Sequence, residues 1–216
     1  WTRCETIVRE ALDGMGVAYE EEHGEAAFYG PKVDIQVTNV VGREETVSTC
    51  QLDFLMAERF ELEYTDADGQ KKRPVIIHRA PLSTHERMIS FLVEFYGGAF
   101  PTWMAPVQVR LVPVSDEQLP YARELEERLR QQLLRAEVDE TNETFNKKIR
   151  NAVTRKIPNI WVIGGREVEN ASVTWRRYCV KQQETVAADT ALDTLKTMRA
   201  ERTMDNFDDV ALPLHV

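Results

Sequence analysis

Arg87 stands where an anion can be received. Val75, Ile76 and Ile77 form an apolar strand that runs into a proline-bearing turn and then into an amphipathic segment. Ser83 and Glu86 have the S-x-x-E spacing of a capping box, which predicts a helix N-terminus here. Met88, Ile89, Leu92, Val93 and Tyr96 recur at helical spacing until Gly97-Gly98 ends the run. Arg87 therefore lies beside unpaired backbone N–H groups and the positive end of a helix dipole, a setting that receives phosphate or pyrophosphate. An arginine so placed is either that anion ligand or a solvated surface residue, and spacing alone leaves both open. A second concentration of charge lies at 147–177. Lys147, Lys148, Arg150, Arg155, Lys156, Arg166, Arg176 and Arg177 face only Glu167 and Glu169 in that span. It is either a docking surface for one particular nucleic acid or a solvated mixed-charge face.

The elements that must carry these residues follow from periodicity. A first helix ends at Gly14-Met15-Gly16, and Val17–Glu21 reads as a short strand. Val33, Ile35 and Val37 alternate with polar neighbours, Thr46–Phe54 forms a second strand, and Asp66-Ala67-Asp68-Gly69 closes a hairpin from Leu62 and Tyr64 into Arg73–Ile77. Strands joined by short turns and followed by one helix imply an α+β antiparallel sheet over residues 1–105. Pro101 and Pro106 flank the expected junction. Residues 106–216 read as a small α/β domain. Val107, Val109 and Leu111 form a strand. Ser115–Gln118 caps a helix lined by Leu119, Ala122, Leu125, Leu129 and Leu133, and Val138 to Thr141 makes a short strand. Phe145, Ile149 and Val153 line a second helix with Lys147, Lys148 and Arg150 on its other sides. Ile160–Gly164 is a central parallel strand, Ser172–Tyr178 another strand, and Ala188–Arg202 the last helix.

Composition narrows the function classes. The chain has 216 residues and a net charge of −9, which argues against a general nucleic-acid binder. No apolar run reaches membrane-spanning length and no signal-peptide pattern is present. Cys4, Cys50 and Cys179 are scattered and odd in number, as expected of free thiols in a reducing cytoplasm. Opening on Trp1 without a helix cap reads as the middle of a longer polypeptide or as a processed product.

His78–Arg87, H-R-A-P-L-S-T-H-E-R, resembles motif 3 of class II aminoacyl-tRNA synthetases in its threonyl form, H-R-A-x-L-G-S-x-E-R. The segments F-Y-G-P-K-V-D-I (Phe28–Ile35), S-T-C-Q-L-D-F (Ser48–Phe54) and R-F-E-L-E-Y (Arg59–Tyr64) resemble the same family in the same order. The resemblance implies that Lys32 lies near ATP phosphates, that Gln51 faces threonine and its adenylate, and that Thr49 stands near the nucleotide. It implies that Arg87 contacts ATP, with Thr84 in the place of the motif's serine, and that His78 is one of three protein ligands to zinc. ATP, Mg2+ and Zn2+ are the implied cofactors. The second half resembles the anticodon-binding domain shared by the threonine, proline, glycine and histidine enzymes, through A-P-V-Q-V, N-E-T-F-N-K-K-I-R-N-A, K-I-P-N-I-W-V-I-G and R-E-V-E-N-A-S-V-T-W-R-R. That implies tRNA contact by Asn142, Glu143, Lys148, Arg150, Arg176 and Arg177.

The reading that results is the C-terminal portion of a threonine–tRNA ligase, with tRNA(Thr), threonine and ATP as partners, and a cytoplasmic homodimer expected of the full-length enzyme. Nothing in the chain resembles motifs 1 and 2 or the other two zinc ligands. Ser48, Ser83 and Cys179 replace family glycines, and Asn146 replaces the glycine before Lys147-Lys148. The added side chains at 48 and 83 narrow the expected nucleotide pocket. Two other readings are a non-catalytic tRNA-binding or regulatory relative, and a subunit that completes its site with a second chain. The tail, 203–216, has no clear period and reads as an appendage or a docking strand.

Overall fold

Period-two alternation folds as expected in the first half of the chain. In the computed structural model, which describes residues 1–205, helix α1 (Thr2–Met15) is closed by Gly16 in the left-handed region. Strands β1 (Lys32–Thr38) and β2 (Glu44–Asp53) pair antiparallel, followed by a short α2 (Met56–Arg59) and the hairpin β3 (Tyr64–Thr65) with β4 (Lys71–Lys72). Then β5 (Ile76–Ala80) pairs antiparallel with β2, giving the sheet order β1-β2-β5, and α3 (His85–Phe95) follows. Two expectations are corrected. Val17–Glu21 forms no strand; its carboxylate Glu21 instead takes a bidentate pair from Arg9 at 2.7 and 2.8 Å. The strand expected at Arg73–Ile77 begins only at Ile76, because β4 already ends at Lys72.

The chain divides after Phe95 into two units, the second running from Tyr96. This is ahead of the expected junction at 105/106. The reason is that Pro101–Pro106 packs within the second unit: Ala105 is buried, and Thr102 N–H donates to the Asp205 carboxylate at 2.7 Å. That carboxylate also accepts from Arg177 at 2.9 Å, while Asn159 Nδ2 donates to Thr102 Oγ1 at 2.8 Å. The tail expected at 203–216 thus has Asp205 in the unit's polar interior, and 206–216 lie outside the described residues.

The second unit contains β6 (Val109–Pro113), a 3-10 turn at Asp116–Gln118, α4 (Leu119–Gln131), β7 (Ala136–Val138), α5 (Phe145–Thr154) and β8 (Asn159–Ile163). It continues with α6 (Gly165–Glu169), β9 (Ser172–Arg177), β10 (Gln183–Ala187) and α7 (Ala188–Ala200). The sheet order is β10-β9-β8-β6-β7, with β6 parallel to β7 and β8, and the other pairs antiparallel. Alternation sends Leu111 and Trp161 to one face, packed with Leu125 and Leu129 of α4 and Leu195 of α7. Val112 and Ile160 go to the other, against Ile149 and Ala152 of α5. Gln118 accepts the Ser115 N–H at 2.9 Å, which is the capping arrangement the spacing implied. α4 stops at Gln131, so Leu133 lies beyond it and is exposed.

Candidate functional site

Register brings the candidate residues of the first unit into one row. Lys32 stands opposite Gln51 across β1 and β2, and Gln51 stands opposite His78 across β2 and β5. Residues directly opposite in a ladder share a face, and so do residues two apart in a strand. Asp34, Thr49 and Asp53 therefore join Lys32, Gln51 and His78 on that face.

A continuous set of hydrogen bonds runs along it. Lys32 Nζ donates to Asp34 Oδ2 at 2.6 Å, and Thr49 Oγ1 donates to Asp34 Oδ1 at 2.6 Å. Gln51 Nε2 donates to Thr49 Oγ1 at 3.3 Å, and the Tyr29 hydroxyl donates to Gln51 Oε1. The Tyr29 ring lies 5.4 Å from the His78 ring. His78 Nε2 is 2.8 Å from Asp53 Oδ2. The Asp34 carboxylate holds the Lys32 ammonium above its ordinary pKa. Burial pushes the Asp53 carboxyl up, but bonds from His78 and from the Met56 and Leu55 N–H groups outweigh it and leave the pKa lowered. The row is thus a line of fixed charges and amides: a cation at one end, an amide in the middle, an imidazole at the other.

Backbone constraints hold the row in register. Gly30 permits the closest approach in the unit: a Cβ there would sit 1.8 Å from the Leu52 carbonyl oxygen. Leu52 N–H donates to Pro31 O at 3.0 Å, and Phe54 N–H to Tyr29 O at 3.3 Å, so the F-Y-G-P turn is clamped to the end of β2.

Arg87 and Thr84 lie at the start of α3, both exposed. The cap differs from the expected one: Thr84 Oγ1, not Ser83, accepts the Arg87 N–H, at 3.2 Å. Ser83 cannot cap because it occupies the left-handed region, with φ 54. Its hydroxyl instead accepts from Arg87 Nη1 at 3.4 Å. That backbone region is one glycine adopts without cost and serine rarely does. Cys179 behaves likewise, with φ 60. Ser48 lies half-buried in β2 opposite Ile35, beside the register shift at Ile35/Gln36. Asn146 sits in the first turn of α5.

Among the tRNA candidates of the second unit, Asn142, Glu143 and Arg150 are exposed and Arg176 is half-buried. Lys148 and Arg177 are corrections. Lys148 is only 6% exposed and donates from Nζ to the Asp139 carbonyl at 3.2 Å. Arg177 is likewise buried, against Asp205, and desolvation lowers its pKa. Both charges serve the interior. Glu143 pairs with Lys147 one turn on, at 2.8 Å.

Among the described residues no metal centre closes. No group of three or more His, Cys, Asp or Glu residues that can hold a metal ion occurs among the described residues. His78 nevertheless suits one place in such a centre, because its Nε2 is engaged by Asp53 and Nδ1 remains as donor. Tyr29, Asp34 and Asp53 were not singled out from sequence. The signal was there in the alternation, which puts Asp34 on the face of Lys32 and Asp53 on the face of Gln51.

Comparison with known proteins gives the class. Residues 3–96 match the tRNA synthetase class II core domain (G, H, P, S and T), and residues 108–198 match the anticodon binding domain. The chain is therefore a class II synthetase core segment joined to an anticodon-binding domain. It is 52% identical over 196 residues to a threonine–tRNA ligase of Streptococcus gordonii, covering 90% of this chain and 30% of that protein. It is 52% identical over 190 residues to the threonine–tRNA ligase of Staphylococcus carnosus, covering 88% and 29%. The crystal structure of the RNA binding domain of threonyl-tRNA synthetase from Cryptosporidium parvum Iowa II is similar with a TM-score of 0.80 and 34% identity, over 92% of this chain and 50% of that one. The chain is thus similar over most of its length to threonyl-tRNA synthetases, and it spans about 30% of the length of these curated relatives.

Proposed function

We propose that the chain is the C-terminal, motif 3-bearing portion of a threonine–tRNA ligase, which forms threonyl adenylate from threonine and ATP and passes the threonyl group to tRNA(Thr). The row of Lys32, Gln51 and His78 across three strands carries this reading. Attack of the threonine carboxylate on the α-phosphate builds negative charge and expels pyrophosphate. Lys32 and Arg87 stabilise that charge by placement, and Mg2+ on the phosphates adds to it when bound. Gln51, with Thr49 and Tyr29 fixing its amide, orients threonine and the adenylate. Thr84 holds the start of α3 under Arg87.

Zinc, when bound, is a Lewis acid able to take the amino and hydroxyl groups of threonine, a pair that valine lacks. His78 would supply one of its ligands, and the remainder would come from outside this chain. In the second unit, Asn142, Glu143, Arg150 and Arg176 would meet the tRNA. Lys148 and Arg177 would shape that surface from beneath. Homodimeric assembly and a cytoplasmic location complete the proposal.

The test is threonine-dependent pyrophosphate exchange in a chimaera that carries this chain in place of the matching segment of the Streptococcus gordonii relative. Exchange is expected in the chimaera and is slowed, to a still measurable rate, by Lys32→Ala or Gln51→Ala. A folded chimaera that binds tRNA without any exchange would favour the non-catalytic reading instead.

A further inference from the structure

This inference rests on the tRNA-facing role given to Arg176 above and concerns what holds that residue in place. We propose that Asp205 is a positioning residue for tRNA binding, which fixes the end of β9 from the opposite face and so sets how Arg176 meets the RNA.

Alternation along β9 separates the two neighbouring arginines. Arg176 lies opposite Ile160, on the sheet face that α5 covers, and α5 carries Lys147 and Arg150. Arg177 lies opposite Asn159, on the face of Trp161 and Trp175, and its side chain is only 3% exposed. On that face the residues on both sides of Arg176 are tied into one buried network. Arg177 Nη2 donates to Asp205 Oδ2 at 2.9 Å and also to the Asp205 carbonyl. Trp175 Nε1 donates to Asn159 Oδ1 at 2.9 Å, and Asn159 Nδ2 donates to Thr102 Oγ1 at 2.8 Å. Thr102 in turn gives both its N–H and its hydroxyl to the Asp205 carboxylate. Both routes end on Asp205, whose side chain has no exposed surface. Neutralising it weakens the hold on a buried guanidinium, and a buried charge whose partner is removed is costly. Moving the end of β9 relieves that cost, and Arg176 moves with it. Asp205 lies on the other side of the sheet from Arg176, so its effect on RNA passes through the strand.

The test is a double-mutant cycle read by tRNA binding at one fixed salt concentration. It uses the 216-residue chain and a transcript of Streptococcus gordonii tRNA(Thr), with the folding of each variant checked by its urea midpoint. Arg176→Ala is expected to weaken binding about 10-fold. Asp205→Asn is expected to weaken it about 5-fold. In the Arg176→Ala chain, Asp205→Asn is expected to cost nothing further, whereas in the Arg150→Ala chain it keeps its full effect. A general loosening of the unit would act equally in both backgrounds, and equal losses there overturn the proposal. If Arg176→Ala leaves binding unchanged, the tRNA role of Arg176 falls and the proposal falls with it. If Arg176→Ala weakens binding and Asp205→Asn does not, the proposal falls alone. Where Asp205→Asn does not fold, the wild-type chain decides. Coupling is reciprocal, so at matched saturation RNA is expected to slow amide exchange at Thr102 more in the wild-type chain than in Arg176→Ala. Equal slowing in the two overturns the proposal.

Discussion

The two units of this chain achieve order by different means. In the second, a five-stranded sheet is covered on both faces, and Trp161, Trp175, Leu111, Leu125, Leu129 and Leu195 have no exposed surface. In the first, the buried apolar residues among those described are Val47 and Ala57 alone. Ile35, Ile77, Ile89, Phe28 and Phe95 are each more than half exposed there. The first unit is held by ladder pairing and by the polar row, the second by apolar burial. Since each fully buried large side chain contributes roughly 1.5–3 kcal/mol, the second unit has by far the deeper well. A site of polar residues can be aligned by register before any core closes over it. Its stability, however, then rests on few contacts.

The sharpest way to break this comparison is to cut each unit at a large apolar residue. Trp175→Ala removes a side chain whose ring packs on Trp161 and whose Nε1 donates to Asn159 at 2.9 Å. It is expected to cost about 3–5 kcal/mol in urea unfolding of the second unit. Ile89→Ala, on an exposed face of α3, is expected to stay within about 0.5 kcal/mol. Equal costs would erase the distinction.

Gly30→Ala comes next. The new Cβ meets the Leu52 carbonyl, and relief requires the F-Y-G-P turn to leave β2, at a cost of about 1–3 kcal/mol or more. Amide exchange at Leu52 and Phe54 is expected to speed up while β8 is untouched.

The third prediction concerns pH in the second unit. Asp139 is buried, which raises its pKa. Bonds from Thr141 and the charges of Arg110 and Lys148 outweigh this, so its folded value lies below the ordinary 3.8. Its stabilising contribution is therefore complete above the unfolded value and is lost as pH falls through the folded one. Urea midpoints of the second unit are expected to drop on acidification in this range, and less steeply in Asp139→Asn.

The smallest effect is expected at Ser83. A serine at φ 54 carries a conformational penalty that glycine avoids, partly offset by glycine's freedom in the unfolded chain. Ser83→Gly is expected to stabilise the first unit by at most about 1 kcal/mol, read from its urea midpoint. It also frees Arg87 from the hydroxyl.

Much of this was legible in the sequence because strand alternation and helical spacing are local. β1, β2, α4 and the apolar strand β8 follow from patterns within a few residues. What escaped depends on distant partners. Val17–Glu21 alternates weakly but has no strand to pair with, whereas Gln183–Ala187, largely polar, finds one in β9. Lys148 and Arg177 read as surface charges until Asp139 and Asp205 arrive beside them. The site was visible in parts: motif likeness picked Lys32, Gln51 and His78. Asp34, Tyr29 and Asp53 became evident only once the register set them next to those three.

The central claim is that Lys32 and Gln51 act as neighbours in one row joined through Asp34 and Thr49. A double-mutant cycle of Lys32→Ala and Gln51→Ala on threonine-dependent exchange in the chimaera tests it most directly. The account predicts an interaction of at least about 0.5 kcal/mol between the two changes. Strictly additive losses would contradict it.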